Sequence, residues 1–122
     1  MARILIIEDN FEIRENTAEM LELEGHVVYL AINGKDGLAA AKEKLPELIL
    51  CDIMMPEADG YTVFGELKKN ERTSNIPFIF VTASAEKKEI QAGLDMGANG
   101  YIRKPFEFEE LIEEIKRCLN GK

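Results

Sequence analysis

"LILCDIMMPEADGY", residues 48–61, decides how this chain is read. Four apolar residues with the look of a buried strand run straight into a carboxylate, Asp52, followed by Met54, Met55, Pro56 and the turn residues Asp59 and Gly60. A short continuous apolar run bounded by turn signals fits a strand covered on both faces. A core strand gains nothing from an acid at its end, so the question is what that acid meets.

Working outward, the same form recurs in "RILII" (3–7), "VVYLA" (27–31), "FIFVT" (78–82) and "GYIR" (100–103). Each run is followed by a stretch with helical spacing. The last is the clearest, with Phe108, Leu111, Ile112, Ile115 and Leu119 at i, i+3, i+4, i+7 and i+11. Its opposite side carries Glu109, Glu110, Glu113, Glu114 and Lys116, a solvated face. Asn10, Asn33, Asp59 and Ser84 stand where helices are predicted to start, and Gly25, Gly97 and Gly121 where helices are predicted to end. Pro46 and Pro77 precede the third and fourth runs, where a missing N–H does little harm. No linker, repeat or low-complexity segment interrupts residues 1–122, which read as a single domain.

Strand and helix alternating five times predict an α/β fold: a parallel sheet between two layers of helices, joined by right-handed crossovers. Ligands of such three-layer sandwiches lie beyond the carboxyl ends of the strands, where strand order reverses. Asp52 therefore stands where chemistry is expected.

A chain of 122 residues can bury one core, and its composition, 46% apolar and 31% charged, is that of a globular protein. No apolar run approaches the ~20 residues of a membrane span. "MARILIIED" is too short in its apolar part for a secretory signal, so a cytoplasmic location is expected. Cys51 and Cys118 are then reduced thiols packed as small hydrophobes. A net charge of −8 repels phosphate backbones, which argues against direct nucleic-acid binding and leaves room for an acidic site that takes a cation.

The residues at or just past the strand ends are Glu8 and Asp9, Asp52, Thr82 and Lys104. Two carboxylates 4 Å apart repel by about 4 kcal/mol at an effective dielectric of about 20, so three together need a cation or must take up protons. Lys104 supplies one charge. Donors that are all oxygen favour Mg²⁺, with Mn²⁺ as an alternative. A metal-bound carboxylate, a lysine and a hydroxyl around one small space suit an incoming phosphoryl group, whose equatorial oxygens carry the transition-state charge. Asp52 is then the nucleophile. Singly, each residue also reads as something plainer: a solvated loop pair at 8 and 9, a strand threonine, a surface lysine.

With those residues in view, the chain resembles the receiver domain of bacterial two-component response regulators, of the chemotaxis-regulator-like kind, over essentially its whole length. The motifs are "IIEDN" with Glu8 and Asp9, "CDIMMPEADG" with Asp52, Pro56 and Gly60, "FVTAS" with Thr82, and "YIRKPF" with Tyr101, Lys104 and Pro105. The resemblance implies a flavodoxin-like sheet of strand order 2-1-3-4-5, Gly60 as a structural glycine and a cis Lys104–Pro105 peptide. It implies that Asp52 accepts a phosphoryl group from the phosphohistidine of a sensor histidine kinase or phosphotransfer protein. Mg²⁺ is then held by Glu8, Asp9, Asp52 and the main-chain carbonyl of Met54, and Thr82 and Lys104 bind the phosphoryl oxygens. Thr82 and Tyr101 form the switch, repacking the surface of the fourth helix, fifth strand and fifth helix, through which a phosphorylated dimer can form. Without the resemblance, Tyr101 reads as a half-buried strand residue.

Family implications extend to rate and partners. Met54 and Ser84 hold positions that tune loss of the acyl phosphate; a thioether and a serine orient water poorly, which predicts slow self-dephosphorylation. Such a domain catalyses its own phosphorylation and dephosphorylation and is not a turnover enzyme. Glu12, Asn16 and Glu19 on the first helix, with an exposed Phe106, are candidate contacts for the kinase. His26 reads as an exposed loop residue away from the site. The alternatives are a degenerate scaffold receiver, an Asp-nucleophile phosphatase-like hydrolase, which needs a second Asp where Met54 stands, and a flavodoxin-like FMN carrier, which "EDNFEI" disfavours with its acids. The chain stops at "LNGK", leaving both a stand-alone receiver and part of a longer protein open.

Overall fold

A computed structural model describes residues 1–83 and 87–120. Five strands and five helices alternate: β1 (Arg3–Ile7), α1 (Phe11–Leu23), β2 (Val27–Ala31), α2 (Gly34–Lys44), β3 (Leu48–Asp52), α3 (Gly60–Lys68), β4 (Phe78–Thr82), α4 (Lys87–Asp95), β5 (Gly100–Arg103) and α5 (Phe108–Asn120). The strands are all parallel, in the order β2-β1-β3-β4-β5. This is the three-layer arrangement that the alternation of elements demands.

Because strand side chains alternate between faces, each inner strand feeds two cores. Ile4, Ile6, Leu48, Leu50, Ile79 and Val81 meet Ala18 and Leu21 of α1 and Leu111, Ile112, Ile115 and Cys118 of α5. Their neighbours Leu5, Ile7, Ile49, Cys51, Phe78 and Phe80 meet Ala41 of α2 and Val63, Phe64 and Leu67 of α3. Every residue of β3 and β4 is buried, which is why these strands carry no polar alternation. Each fully buried Leu or Ile contributes about 2 kcal/mol of transfer free energy. Phe64, Phe78 and Phe80 stack edge-on or tilted at 5.0–5.6 Å in the second core.

Helix starts follow the capping residues. The side-chain oxygens of Asn10, Asn33 and Asp59 accept from the backbone N–H groups of Ile13, Asp36 and Thr62 at 3.0, 2.8 and 2.9 Å. Ser84 and Gly121 lie outside the described residues. At the other ends of α1 and α4, Gly25 and Gly97 take φ of 89° and 104°, a left-handed conformation that a side chain would resist. Both cysteines are free and buried. Cys118 joins the periodic face of α5, while Leu119 is only half-buried.

Two sequence expectations need correction. His26 is half-buried in the α1–β2 turn, where its Nδ1 accepts from the Ala2 N–H at 3.0 Å, because the N-terminal strand runs alongside and needs an acceptor there. Phe106 is likewise half-buried, packed against the core between the sheet and α1/α5, since a phenyl ring beside an apolar cluster gains by covering it.

Candidate functional site

Strand register brings the acids together. Ile7 pairs with Cys51 across β1 and β3, so the next residues, Glu8 and Asp52, emerge side by side at the carboxyl edge of the sheet. Among the described residues, oxygens of Glu8, Asp9 and Asp52 lie within 4.8 Å of one another. Glu8 and Asp52 are buried, at 3% and 5% exposure, while Asp9 faces solvent.

Lys104 closes the group from the far side. Its N–H donates to the Thr82 carbonyl at 2.7 Å, tying the segment after β5 to the end of β4. Its Nζ then reaches Glu8 Oε1 at 2.7 Å and Asp52 Oδ2 at 3.3 Å. Thr82 is buried at the end of β4, and the Lys104–Pro105 peptide is cis. Behind Asp52 the β3–α3 loop folds back tightly: a Cβ on Gly60 would sit 2.6 Å from the Asp52 carbonyl oxygen and 2.9 Å from Ile53 Cα, both rigid backbone. Only glycine allows that return. Met54 projects to solvent at 73% exposure, and its N–H points to Asp52 Oδ1 at 3.4 Å.

The electrostatics are unbalanced. Burial raises the proton affinity of Glu8 above the ordinary carboxylate range, and the negative Asp52 adds to the rise; the hydrogen bonds from Lys104 and the Asn10 N–H oppose it. One lysine between two buried carboxylates, with a third at their edge, leaves negative charge in excess. An all-oxygen set of this kind fits a hard divalent ion such as Mg²⁺.

One residue of the site was overlooked in the sequence. Arg14 on α1 is buried at 9% exposure and donates from Nη1 to the Glu8 carbonyl at 2.9 Å. The signal was there: the inward face of α1 is Arg14, Thr17, Ala18 and Leu21, at i, i+3, i+4 and i+7, with a guanidinium in an apolar register.

Around the site, Glu12, Asn16 and Glu19 are exposed on α1. A shallow apolar groove of about 510 Å³ runs from Ile13, Asn16 and Met20 to Ala83, Pro105 and Phe106. Tyr101 turns outward at 37% exposure, beside a second cleft of about 740 Å³ lined by Ile90, Arg103, Glu113 and Arg117. No helix among the described residues is long and apolar enough to cross a membrane.

Comparison with known proteins agrees with this geometry. The response regulator receiver domain matches residues 4–116. Protein PilH of Pseudomonas aeruginosa is 39% identical over 121 residues, covering 99% of this chain and 100% of its own. The DNA-binding dual master transcriptional regulator RpaA of Synechocystis is 39% identical over 119 residues, 98% of this chain but 49% of its own, so the chain spans about half of that relative. Among solved structures, the Vibrio cholerae chemotaxis protein CheY4 superimposes with a TM-score of 0.92 at 28% identity, covering 98% of this chain and 99% of its own. The acidic cluster at the strand ends, the strand order and a match over nearly the whole length lead to one conclusion: the chain belongs to the response regulator receiver domain family of two-component signalling.

Proposed function

We propose that residues 1–122 form one receiver domain that takes a phosphoryl group on Asp52 with Mg²⁺ present, Mn²⁺ substituting. The observation that carries this is the meeting of Glu8, Asp9 and Asp52 oxygens within 4.8 Å, with Lys104 Nζ in contact with two of those carboxylates. Glu8, Asp9, Asp52 and the main-chain carbonyl of Met54 are the ligands. When bound, the ion neutralises the acids and draws charge from the phosphoryl oxygens. Asp52 Oδ attacks phosphorus as the P–N bond to a phosphohistidine of the sensor kinase or phosphotransfer protein breaks. The electron pair leaves with the imidazole, and the product is an aspartyl phosphate. Lys104 exchanges its contact with Asp52 for one with a phosphoryl oxygen, and the Thr82 hydroxyl binds another.

Thr82 and Tyr101 couple that event to the surface: movement of Thr82 toward the phosphoryl group opens room for the ring of Tyr101, and the α4-β5-α5 face repacks. This biases two states already present. The repacked face then supports a dimer, while the groove between α1 and Phe106, with Glu12, Asn16 and Glu19 on its border, meets the kinase. The acidic domain itself makes no contact with nucleic acid. Met54 gives the attacking water no polar guide, so the phosphorylated form decays slowly.

Incubation with acetyl phosphate and Mg²⁺, followed by intact mass measurement, tests the reading. Wild type gains one phosphoryl mass and Asp52→Asn gains none; an unchanged wild-type mass overturns it. Followed over time, the adduct decays faster in Met54→Asn; equal or slower decay removes the role given to Met54.

A further inference from the structure

We propose that Arg14 is a positioning residue for the divalent-cation site: by holding the Glu8 carbonyl it fixes the Glu8–Asp9 peptide and so turns the Asp9 carboxylate toward Asp52. The inference rests on the function proposed above and adds a residue to it. Glu8 is anchored at every polar atom. Its N–H donates to the Ala31 carbonyl at 3.1 Å, Oε1 takes Lys104 Nζ at 2.7 Å, Oε2 takes the Asn10 N–H at 3.1 Å, and its carbonyl takes Arg14 Nη1 at 2.9 Å. The first three orient the Glu8 backbone entry and side chain. Only the last acts on the peptide that leads into Asp9, the exposed member of the cluster.

Arg14 is itself held in place. Its Nε lies 3.7 Å from the Glu15 carboxylate, and its guanidinium carbon lies 5.5 Å from the centre of the Phe11 ring. Both contacts leave Nη1 aimed at the carbonyl. A buried guanidinium close to a cation site is, by charge alone, unfavourable to cation binding. That opposition gives the proposal a sign: a bystander charge, once removed, strengthens cation binding, whereas a positioning residue, once removed, weakens it.

The test is Mn²⁺ affinity by calorimetric titration of the full chain, with thermal unfolding of the metal-free protein recorded alongside. Arg14→Met is expected to bind Mn²⁺ about 10-fold more weakly or worse, the range seen when an outer partner of a metal ligand is lost. In an Asp9→Ala background the same change is expected to cost nothing further, because the effect passes through Asp9. Equal or tighter binding by Arg14→Met overturns the proposal, as does an undiminished loss in the Asp9→Ala background. If Arg14→Met does not fold, Arg14→Gln is read against the same criteria. A wild-type protein that binds no Mn²⁺ overturns the proposed function as well, which separates the two failures.

Discussion

At the scale of single residues, each buried side-chain nitrogen or oxygen among the described residues has a hydrogen-bond partner. His26 shows the cost of the arrangement. Burial lowers its pKa below the usual histidine value and the positive N-terminus adds to this, while Glu24 and Glu47 act the other way. Its Nδ1 must stay bare to accept from Ala2. A folded-state pKa below the unfolded one means that His26's contribution is complete above the unfolded value, about 6.5, and is lost as pH falls below that and through the folded value. The stability gap between wild type and His26→Ala is therefore expected to narrow from about pH 7.5 to about pH 5 in denaturant titrations. A gap that stays constant across that range would rule out this linkage.

At the scale of elements, each helix turns one face to the sheet and another away from it, and two glycines expose the difference. Gly37, inside α2, lies against Ile7: a Cβ there would come within 2.5 Å of Ile7 Cδ1 and 2.8 Å of its Cγ1, in a fully buried side chain. Gly65, inside α3, has open space where its Cβ would be. The same substitution should then have opposite signs. Gly65→Ala is expected to stabilise by about 1 kcal/mol through helix propensity alone. Gly37→Ala is expected to destabilise, since overpacking costs typically ~1–3 kcal/mol and outweighs the propensity gain. Thermal melts of the two variants check this, and a stabilised Gly37→Ala would show that α2 shifts freely on β1.

For the whole molecule, the acid cluster links folding to cation and pH. The folded Glu8 carboxyl holds its proton to higher pH than the unfolded one, so its contribution to metal-free stability is complete below the unfolded pKa and lost as pH rises through the folded value. Bound Mg²⁺ should reverse that loss, because it replaces the proton as the neutralising charge. Mg²⁺ at 100 times its dissociation constant adds about 2.7 kcal/mol of stability. In a domain of this size that is roughly 10 °C in Tm. The increase is expected to be larger near pH 7.5 than near pH 5, where protons compete for Glu8. Melting curves with and without Mg²⁺ at both pH values measure it; a shift of the same size at both would separate Glu8 from cation binding.

Much of this was legible in the chain because local chemistry and burial pattern agree. The five apolar runs became the five strands, and Asn10, Asn33 and Asp59 became caps, since a strand buried on both faces and a helix start each need particular side chains. Glu8, Asp9, Asp52 and Lys104 could be picked out because strand ends of a parallel sheet converge on one edge. What the chain alone could not convey is distance across elements. Arg14 lies six residues from Glu8, yet its hydrogen bond to the Glu8 carbonyl depends on how α1 rolls against β1. His26 and Phe106 look exposed in the sequence because nothing local marks the N-terminal strand beside one or the apolar cluster beside the other. Sequence determined which residues are buried strands and which acids stand at their ends, since burial and period are local properties; tertiary structure decided which charges touch, since that is set by register and helix roll, to which residues far apart in the chain contribute together.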